Sequence, residues 1–313
     1  MPTSPHLSGP GDPATLPPQE LSLPCVLTFN ANDPSGAGGL AADHTAMSSA
    51  SCHVLSVVTG TYIRDTRSVH NHIAFGEDAV EDQARCALED MDVSAIKVGF
   101  VGSPENLSTI VQILSDYGDV PVVSYMPDLA WWDEVDLENY LDACQELLLP
   151  QTTVLVGNHN TLSRWLLPDW AEDRPPTARE IARAAAEHGV PYTLVTGFNA
   201  ADQHLESHLA TPETVMATAR YERFEATFTG AGDTLSAAFC ALLASDTDLQ
   251  AACAEALTYL DQCLDAGFQP GMGHAVPDRL FWAHDETDDD AADDPDNPST
   301  ASLDDFPTTG QPH

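Results

Sequence analysis

The sequence predicts an α/β fold: a doubly wound, mainly parallel central sheet with helices on both faces. Short apolar runs typical of buried strands alternate with longer runs whose apolar residues recur at helical spacing. Two glycine-rich loops border such runs, as at the carboxyl edge of a parallel sheet, where ligands bind. The chain has 313 residues, of which 43% are hydrophobic, so it can bury a large core.

The alternating elements extend from the first apolar run to the middle of the chain. Predicted strands cover residues 25–30, 53–61, 94–99, 120–125, 152–157 and 192–196. Predicted helices cover residues 38–50, 77–90, 104–117, 136–147 and 177–188. Because each such strand is followed by a crossover helix, we expect neighbouring strands to run parallel.

The alternation stops after residue 200. Two short extended runs at 204–210 and 215–224 flank a Thr-Pro-Glu turn, which predicts a small β-hairpin in place of another crossover helix. Two apolar helices, predicted over 232–245 and 248–267, then complete the domain.

Both ends of the chain differ in composition from residues 23–283, which are predicted to form the domain. Residues 1–22 are rich in Pro, Ser and Gly and predict a flexible lead-in. Residues 284–313 contain ten acidic side chains and no Lys or Arg, which predicts a disordered acidic tail.

Composition excludes several classes of partner. The formal net charge is −38, so nucleic acid and anionic membranes are repelled. No run of 18 apolar residues predicts a membrane span, and the N-terminus lacks a signal-peptide pattern. The seven cysteines form no Cys-x-x-Cys pair and are interpreted as reduced thiols of a cytoplasmic protein. We therefore expect a small-molecule substrate.

The segment Thr229-Gly-Ala-Gly-Asp-Thr234 leads directly into an apolar helix. Gly230, Ala231 and Gly232 are small enough for their N–H groups to converge, and the helix adds its positive dipole end. This predicts an anion hole with Asp233 at its rim, where a carboxylate could take a proton from a substrate hydroxyl. A glycine turn with Asp233 as a helix cap is the alternative that these residues leave open.

A second glycine-rich loop, Asp33-Pro-Ser-Gly-Ala-Gly-Gly-Leu-Ala-Ala-Asp43, follows the first strand. It has neither the lysine of a P-loop nor the glycine spacing of a dinucleotide fingerprint. The loop resembles the opening motif of the hydroxymethylpyrimidine/phosphomethylpyrimidine kinases of thiamin biosynthesis, in the ribokinase-like superfamily. Further similar segments occur in the same order, at 57–61, 96–103, 229–236 and 271–282, so the resemblance spans residues 24–283.

The resemblance implies a ribokinase-like fold, ATP and Mg²⁺ as cofactors, and a homodimer. It implies that Asp233 is the catalytic base, although many of these kinases have Cys there and the wider superfamily has Asp. It places Asp43 against the exocyclic amine of a pyrimidine, with an exposed acid in the first turns of a helix as the alternative. It places Phe100 against the ring, with a phenylalanine of the core as the alternative. Asp33 is assigned to the same substrate-binding side, with capping of its own loop as the alternative.

One departure lies on the substrate side. Arg64 stands where these kinases carry a Gln that contacts the pyrimidine. A guanidinium only donates hydrogen bonds and carries charge, which favours a ligand with a carboxylate, phosphate or carbonyl group. The alternative is that Arg64 turns outward to pair with Asp65.

The other departures lie on the nucleotide side. Tyr125 stands in place of the acid of an Asp-Pro-Val-Met stretch, and Asp128 is a substitute acid nearby. Asn158 keeps the first residue of an Asn-x-x-Glu element, but Thr161 replaces its acid. Thr196 replaces the lysine of a Lys-Gly-Gly run, and Gly197 follows it. We assign Asn158, Thr196 and Gly197 to nucleotide binding and assign no metal ligand.

The predicted function is ATP-dependent phosphorylation of a hydroxymethyl group on a small heterocycle. Hydroxymethylpyrimidine and its monophosphate are the expected substrates, and a pyridoxal or pyridoxine kinase is the alternative within the class. A different class is a ribokinase-like protein that has lost efficient catalysis and binds a ligand for regulation. That hypothesis rests on Arg64, Tyr125, Thr161 and Thr196.

Overall fold

A computed structural model of the chain describes residues 23–284. The predicted lead-in at 1–22 and residues 285–313 of the predicted acidic tail lie outside the described residues. The strands are β1 (Cys25–Asn32), β2 (His53–Arg64), β3 (Val69–Ala74), β4 (Ala95–Val98), β5 (Val122–Met126), β6 (Val154–Asn158), β7 (Tyr192–Asn199), β8 (His204–Ala210) and β9 (Val215–Glu222). The α-helices of this region are α1 (Gly39–Ser49), α2 (Glu77–Leu88), α3 (Pro104–Ser115), α4 (Glu134–Ala143), α5 (His159–Leu166), α6 (Ala178–Glu187), α7 (Ala231–Ala244) and α8 (Leu249–Asp265).

The strands form one nine-stranded sheet in the order β3-β2-β1-β4-β5-β6-β7-β8-β9. Strands β2, β1, β4, β5, β6 and β7 run parallel to one another, and β3, β8 and β9 pair antiparallel at the two edges. The predicted doubly wound α/β fold and its hairpin, β8–β9, are confirmed. Because the chain leaves β1 toward β2 on one side and returns as β4 on the other, a crevice opens between the carboxyl ends of β1 and β4.

Two apolar cores cover the faces of the sheet. One lies under α1, α7 and α8, and the other lies under α2 to α6. Helix α7 packs closely on the strands because Ala237, Ala238 and Ala241 present small, fully buried side chains to them. This packing fixes the N-terminus of α7 at the crevice.

Two elements were missed by the sequence interpretation. Strand β3 reads Val-His-Asn-His-Ile-Ala, and its polar residues are tolerated because it is an exposed edge strand. Helix α5 has eight residues and begins directly after β6, with Asn158 as its N-cap and no intervening loop. The predicted helix 136–147 is α4, which continues into a π-helical turn over residues 144–148. Within residues 23–284, no helix is long and apolar enough to cross a membrane.

Candidate active site

The two glycine-rich loops meet at the crevice. The backbone N–H of Gly39 donates to Oδ2 of Asp233 at 3.1 Å. Gly230 has φ +87°, and a Cβ there would collide with the carbonyl oxygen of Ala37. Only glycine allows this backbone conformation together with such a close approach.

A buried arginine joins the same two loops. Nε of Arg279 donates to Oγ1 of Thr234 at 2.8 Å, and the guanidinium also donates to the carbonyls of Gly36 and Ala37. Arg279 is only 6% exposed, and burial lowers the pKa of its guanidinium. The resulting clamp holds the 33–38 loop against the first turn of α7.

The first turn of α7 has the features of an anion hole. Gly230 is the N-cap residue, and no side chain caps the helix. The N–H groups of Ala231, Gly232 and Asp233 have no acceptor among residues 23–284, as expected for the first turn of a helix. Asp233 therefore does not serve as the N-cap, and its carboxylate points into the crevice with 17% of the side chain exposed.

A buried charge cluster lies beside this helix terminus. Nζ of Lys97 is 2.5 Å from Oδ1 of Asp43 and 3.4 Å from Oδ1 of Asp233. Nδ2 of Asn30 donates to both carboxylates at 3.0 Å. Burial alone would lower the pKa of Lys97, but the charges of Asp43 and Asp233 outweigh burial and raise it. The lysine is therefore charged at neutral pH.

The expected contact between Asp43 and a substrate ring does not fit its position. Asp43 is 0% exposed, and its oxygens accept from Lys97, Asn30 and Thr28. It lies behind Asp233, on the face of α1 that packs on the sheet. Its carboxylate can act on the substrate only through neighbouring side chains.

Phe100 is likewise more deeply buried than a direct substrate contact requires. The residue is 1% exposed, and its ring stacks on Tyr62 with centroids 5.3 Å apart. It belongs to an aromatic cluster formed by Tyr62, His72, Phe100, Trp131, Trp132 and Tyr140. The backbone N–H of Phe100 also donates to Oδ1 of Asn30 at 3.2 Å, so the residue supports the wall of the site.

Asp33 organises its own loop. Its carboxylate accepts from the N–H and Oγ of Ser35 and from the N–H of Gly38 at 2.8 Å. The remaining partner is Arg64, whose Nη1 lies 3.4 Å from Oδ2 of Asp33. Arg64 thus turns inward, with 11% of its side chain exposed, and not outward to the carboxylate of Asp65.

Arg64 also lines a cleft of about 670 Å³ beside the loop. Arg67 and the glycine-rich segment 270–273 form its other wall, and Nη2 of Arg67 donates to the carbonyl of Met272 at 3.2 Å. Two arginines in one cleft are conspicuous in a chain with ten arginines and a net charge of −38. The cleft therefore favours an anionic group.

The three residues assigned to nucleotide binding share one cavity of about 200 Å³. Asn158, Thr196 and Gly197 line it together with Ala231 and Gly232 of the anion hole. Its apolar wall consists of Leu235, Leu257, Leu260 and Leu264. An apolar cavity that ends at free helix N–H groups suits an adenine ring with its phosphates.

Tyr125 lies between this cavity and the charge cluster. A Cβ at Gly232 would collide with its hydroxyl, and Nζ of Lys97 lies 5.7 Å from the centre of its ring. Burial and the charge of Asp233 raise the pKa of Tyr125, so the phenol is protonated at neutral pH. With Asp128 and Thr161, Tyr125 lines a neighbouring cavity of about 690 Å³.

The sequence analysis did not assign three residues to the site that the structure places there: Asn30, Lys97 and Arg279. Lys97 carries a usable signal, because it is the one lysine in the chain and stands inside an apolar strand. Arg279 falls in a segment that carries the resemblance, but nothing in the sequence indicates its partners.

Comparisons with known proteins show the family to which the chain belongs. A family model described as phosphomethylpyrimidine kinase matches residues 33–278. The hydroxymethylpyrimidine/phosphomethylpyrimidine kinase of Streptomyces coelicolor is 27% identical over 270 residues, covering 86% of this chain and 98% of that protein. The protein of the same name from Escherichia coli is 24% identical, covering 80% of this chain and 94% of its own.

Solved structures show the same fold. An ADP complex of Bacillus subtilis pyridoxal kinase has a TM-score of 0.74 at 20% identity, covering 84% of this chain and 100% of that one. Phosphomethylpyrimidine kinase from Clostridium difficile has a TM-score of 0.63 at 19% identity, covering 75% and 98%.

The family match and the fold define a phosphotransferase that uses ATP and acts on a small molecule. Within that class, the chain belongs to the phosphomethylpyrimidine kinase family.

Proposed function

We propose that this protein transfers the γ-phosphoryl group of ATP to the hydroxymethyl group of hydroxymethylpyrimidine, as a step of thiamin biosynthesis. The observation that carries the proposal is the position of Asp233 at the free N–H groups of α7, in contact with the 33–39 loop. The names of the relatives, which cover nearly their whole length, support the substrate.

The proposed chemistry uses one proton acceptor and one set of hydrogen-bond donors. Asp233 takes the proton of the substrate hydroxyl while the hydroxyl oxygen forms a bond to the γ-phosphorus. The bond from that phosphorus to the β–γ bridging oxygen breaks, and its electron pair leaves with ADP. The N–H groups of residues 231–233 stabilise the charge on the group in transfer. The products are a phosphomonoester, ADP and the proton held by Asp233.

The residues around the proposed nucleotide site suit ATP better than they suit a metal ion bound tightly by the protein alone. In the described part of the chain, no three His, Cys, Asp or Glu side chains form a metal site. Asp128 offers one carboxylate to the cavity that it lines with Tyr125. Mg²⁺ commonly uses one or two carboxylates besides phosphate oxygens and water, so we propose that it binds mainly through the nucleotide.

The arginine cleft extends the proposal to a second substrate. Arg64 and Arg67 could hold the phosphate of hydroxymethylpyrimidine monophosphate while its second phosphorylation takes place. The ion pair between Arg64 and Asp33 would connect that phosphate to the loop that contacts Asp233.

We also propose that the protein is a homodimer in the cytoplasm. Its β2–β3 edge exposes apolar side chains, with Ile63 44%, Ile73 55% and Phe75 41% exposed. Light scattering should give twice the mass of the chain, and Ile73→Glu should shift the protein toward the mass of one chain. A wild-type mass of one chain would exclude the dimer.

The activity is tested by coupled ADP release with hydroxymethylpyrimidine, its monophosphate and pyridoxal in turn. We expect turnover with the first two substrates and its loss in Asp233→Asn. Asp142→Asn, on the exposed side of α4, is the matched control and should keep full activity. Thermal stabilisation by these compounds without ADP release would instead support a regulatory binding protein. Pyridoxal as the better substrate would change the assignment within the class.

A further inference from the structure

The lysine of the charge cluster is unusual for this chain. Every other cationic residue is an arginine, yet Lys97 is 0% exposed in the middle of the sheet. Lys97 lies on the same face of β4 as Ala95, the face that packs under α7. Its ammonium lies between two carboxylates. A compact ammonium with three donors fits such a gap, whereas a planar guanidinium does not.

The cluster contains one positive and two negative charges. Asn30 bridges Asp43 and Asp233 with one amide nitrogen, so the carboxylates are close enough to repel each other. The ammonium of Lys97 faces both carboxylates. The other titratable or charged groups around Asp233 are Asp33 in the loop, Tyr62 and Arg64 on β2, Tyr125 on β5 and Arg279 after α8.

We propose that Lys97 is a positioning residue whose ammonium holds the carboxylate of Asp233 toward the substrate hydroxyl and stabilises its negative charge, and that Asp43 limits this effect by competing for the same ammonium. The proposal rests on the proposed function, in which Asp233 is the base. It gives Asp43 a role that its complete burial permits, since a carboxylate with no exposed surface cannot touch the substrate.

The distances fix the direction of each effect. Lys97 is nearer to Asp43, at 2.5 Å, than to Asp233, at 3.4 Å. Removing the charge of Asp43 leaves the ammonium to Asp233 alone and also removes a repulsive charge. Removing both Asp43 and Lys97 also removes that repulsion, but it takes away an ammonium that donates directly to Asp233, whereas Asp43 reaches Asp233 only across Asn30 and Lys97. The first change should favour the ionised form of Asp233, and the second should disfavour it.

The test compares pH profiles of kcat/KM for the wild type, Asp43→Asn and the double variant Asp43→Asn/Lys97→Met. We use the double variant because Lys97→Met alone would leave a buried, unpaired carboxylate and threaten folding. The midpoint of the acid limb should fall in Asp43→Asn and rise in the double variant, so the two variants should shift it in opposite directions from the wild type. A purely structural role would lower kcat/KM without moving the midpoint.

A second readout does not depend on turnover. In protein labelled with ¹³C at the aspartate carboxyl carbons, the Asp233 resonance is assigned by its loss in Asp233→Asn. Its titration midpoint should move in the same two directions as the acid limb.

Arg85→Met removes an exposed cation on α2 that pairs with Asp116, and it should move neither midpoint. Midpoints that stay unchanged, or that move in the same direction in both variants, would overturn the role of Lys97. Absence of turnover in the wild type would instead overturn the proposed function and leave this readout intact.

Discussion

The carboxylate of Asp233 accepts a hydrogen bond from the backbone of Gly39, a residue 194 positions earlier in the chain. This bond joins the first turn of α7 to the start of α1. Helix α1 begins at the crevice because it follows β1, and α7 begins there because it packs on α1 and across β4 and β5. The proposed base and its surrounding N–H donors are therefore positioned by the sheet and not by a flexible loop.

Gly230→Ala tests the close contact of the two loops. The substitution adds a methyl group against the carbonyl of Ala37 at a residue with φ +87°. We expect a loss of about 1–3 kcal/mol in the free energy of unfolding and a strong loss of kcat. Chemical denaturation and ADP release measure the two effects. Gly118→Ala, in open space on the surface, is the control, and equal losses in both variants would contradict the contact.

Arg279→Met tests the clamp. The variant keeps most of the apolar volume but leaves the carbonyls of Gly36 and Ala37 without their donor. We expect the free energy of unfolding to decrease by about 1–3 kcal/mol, because a buried acceptor is left unsatisfied. We also expect kcat/KM to fall. The control is Arg85→Met, which removes a surface arginine that pairs with Asp116. A variant with wild-type stability and kinetics would show that the clamp is dispensable.

The fold could be predicted from the sequence because its strands and crossover helices differ in apolar period. The edge strand β3 was missed because its His70, Asn71 and His72 interrupt that pattern, and an edge strand needs no apolar partner on its open side.

The site was predicted only in part, since its motifs show which residues meet but not how deeply each is buried. Asp43 is an instructive case. Leu40, Asp43 and Met47 recur at helical spacing, and all three lie on the buried face of α1. That spacing alone would have placed Asp43 on the sheet side of the helix, whereas the sequence analysis assigned it a substrate contact from the motif. Its partner Lys97 comes from a distant strand, so the sequence could not reveal the ion pair.

A capping box makes the stability of α6 depend on pH. Glu180 bonds to Arg174 and to Thr177, and these contacts lower its pKa from 4.5 to about 2, with Arg174 the larger cause. A lowered pKa in the folded state stabilises the protein above pH 4.5, and this stabilisation is lost as the pH falls toward 2. Glu180→Gln should therefore reduce the free energy of unfolding by about 1 kcal/mol at neutral pH, with a smaller difference in acid. Urea denaturation across this range measures it. Glu138→Gln, on the exposed face of α4, should show no such trend.

Tyr125→Phe tests whether the phenol takes part in phosphoryl transfer. Its raised pKa keeps the proton on the hydroxyl, which lies against Gly232 at the anion hole and can donate to a phosphate oxygen. The variant keeps the ring but loses this donor, so we expect kcat to fall about tenfold or more while KM for the hydroxymethyl substrate stays the same. Tyr117→Phe, at the end of α3, is the control for loss of a phenol elsewhere. An unchanged kcat would mean that the tyrosine only fills space beside Gly232.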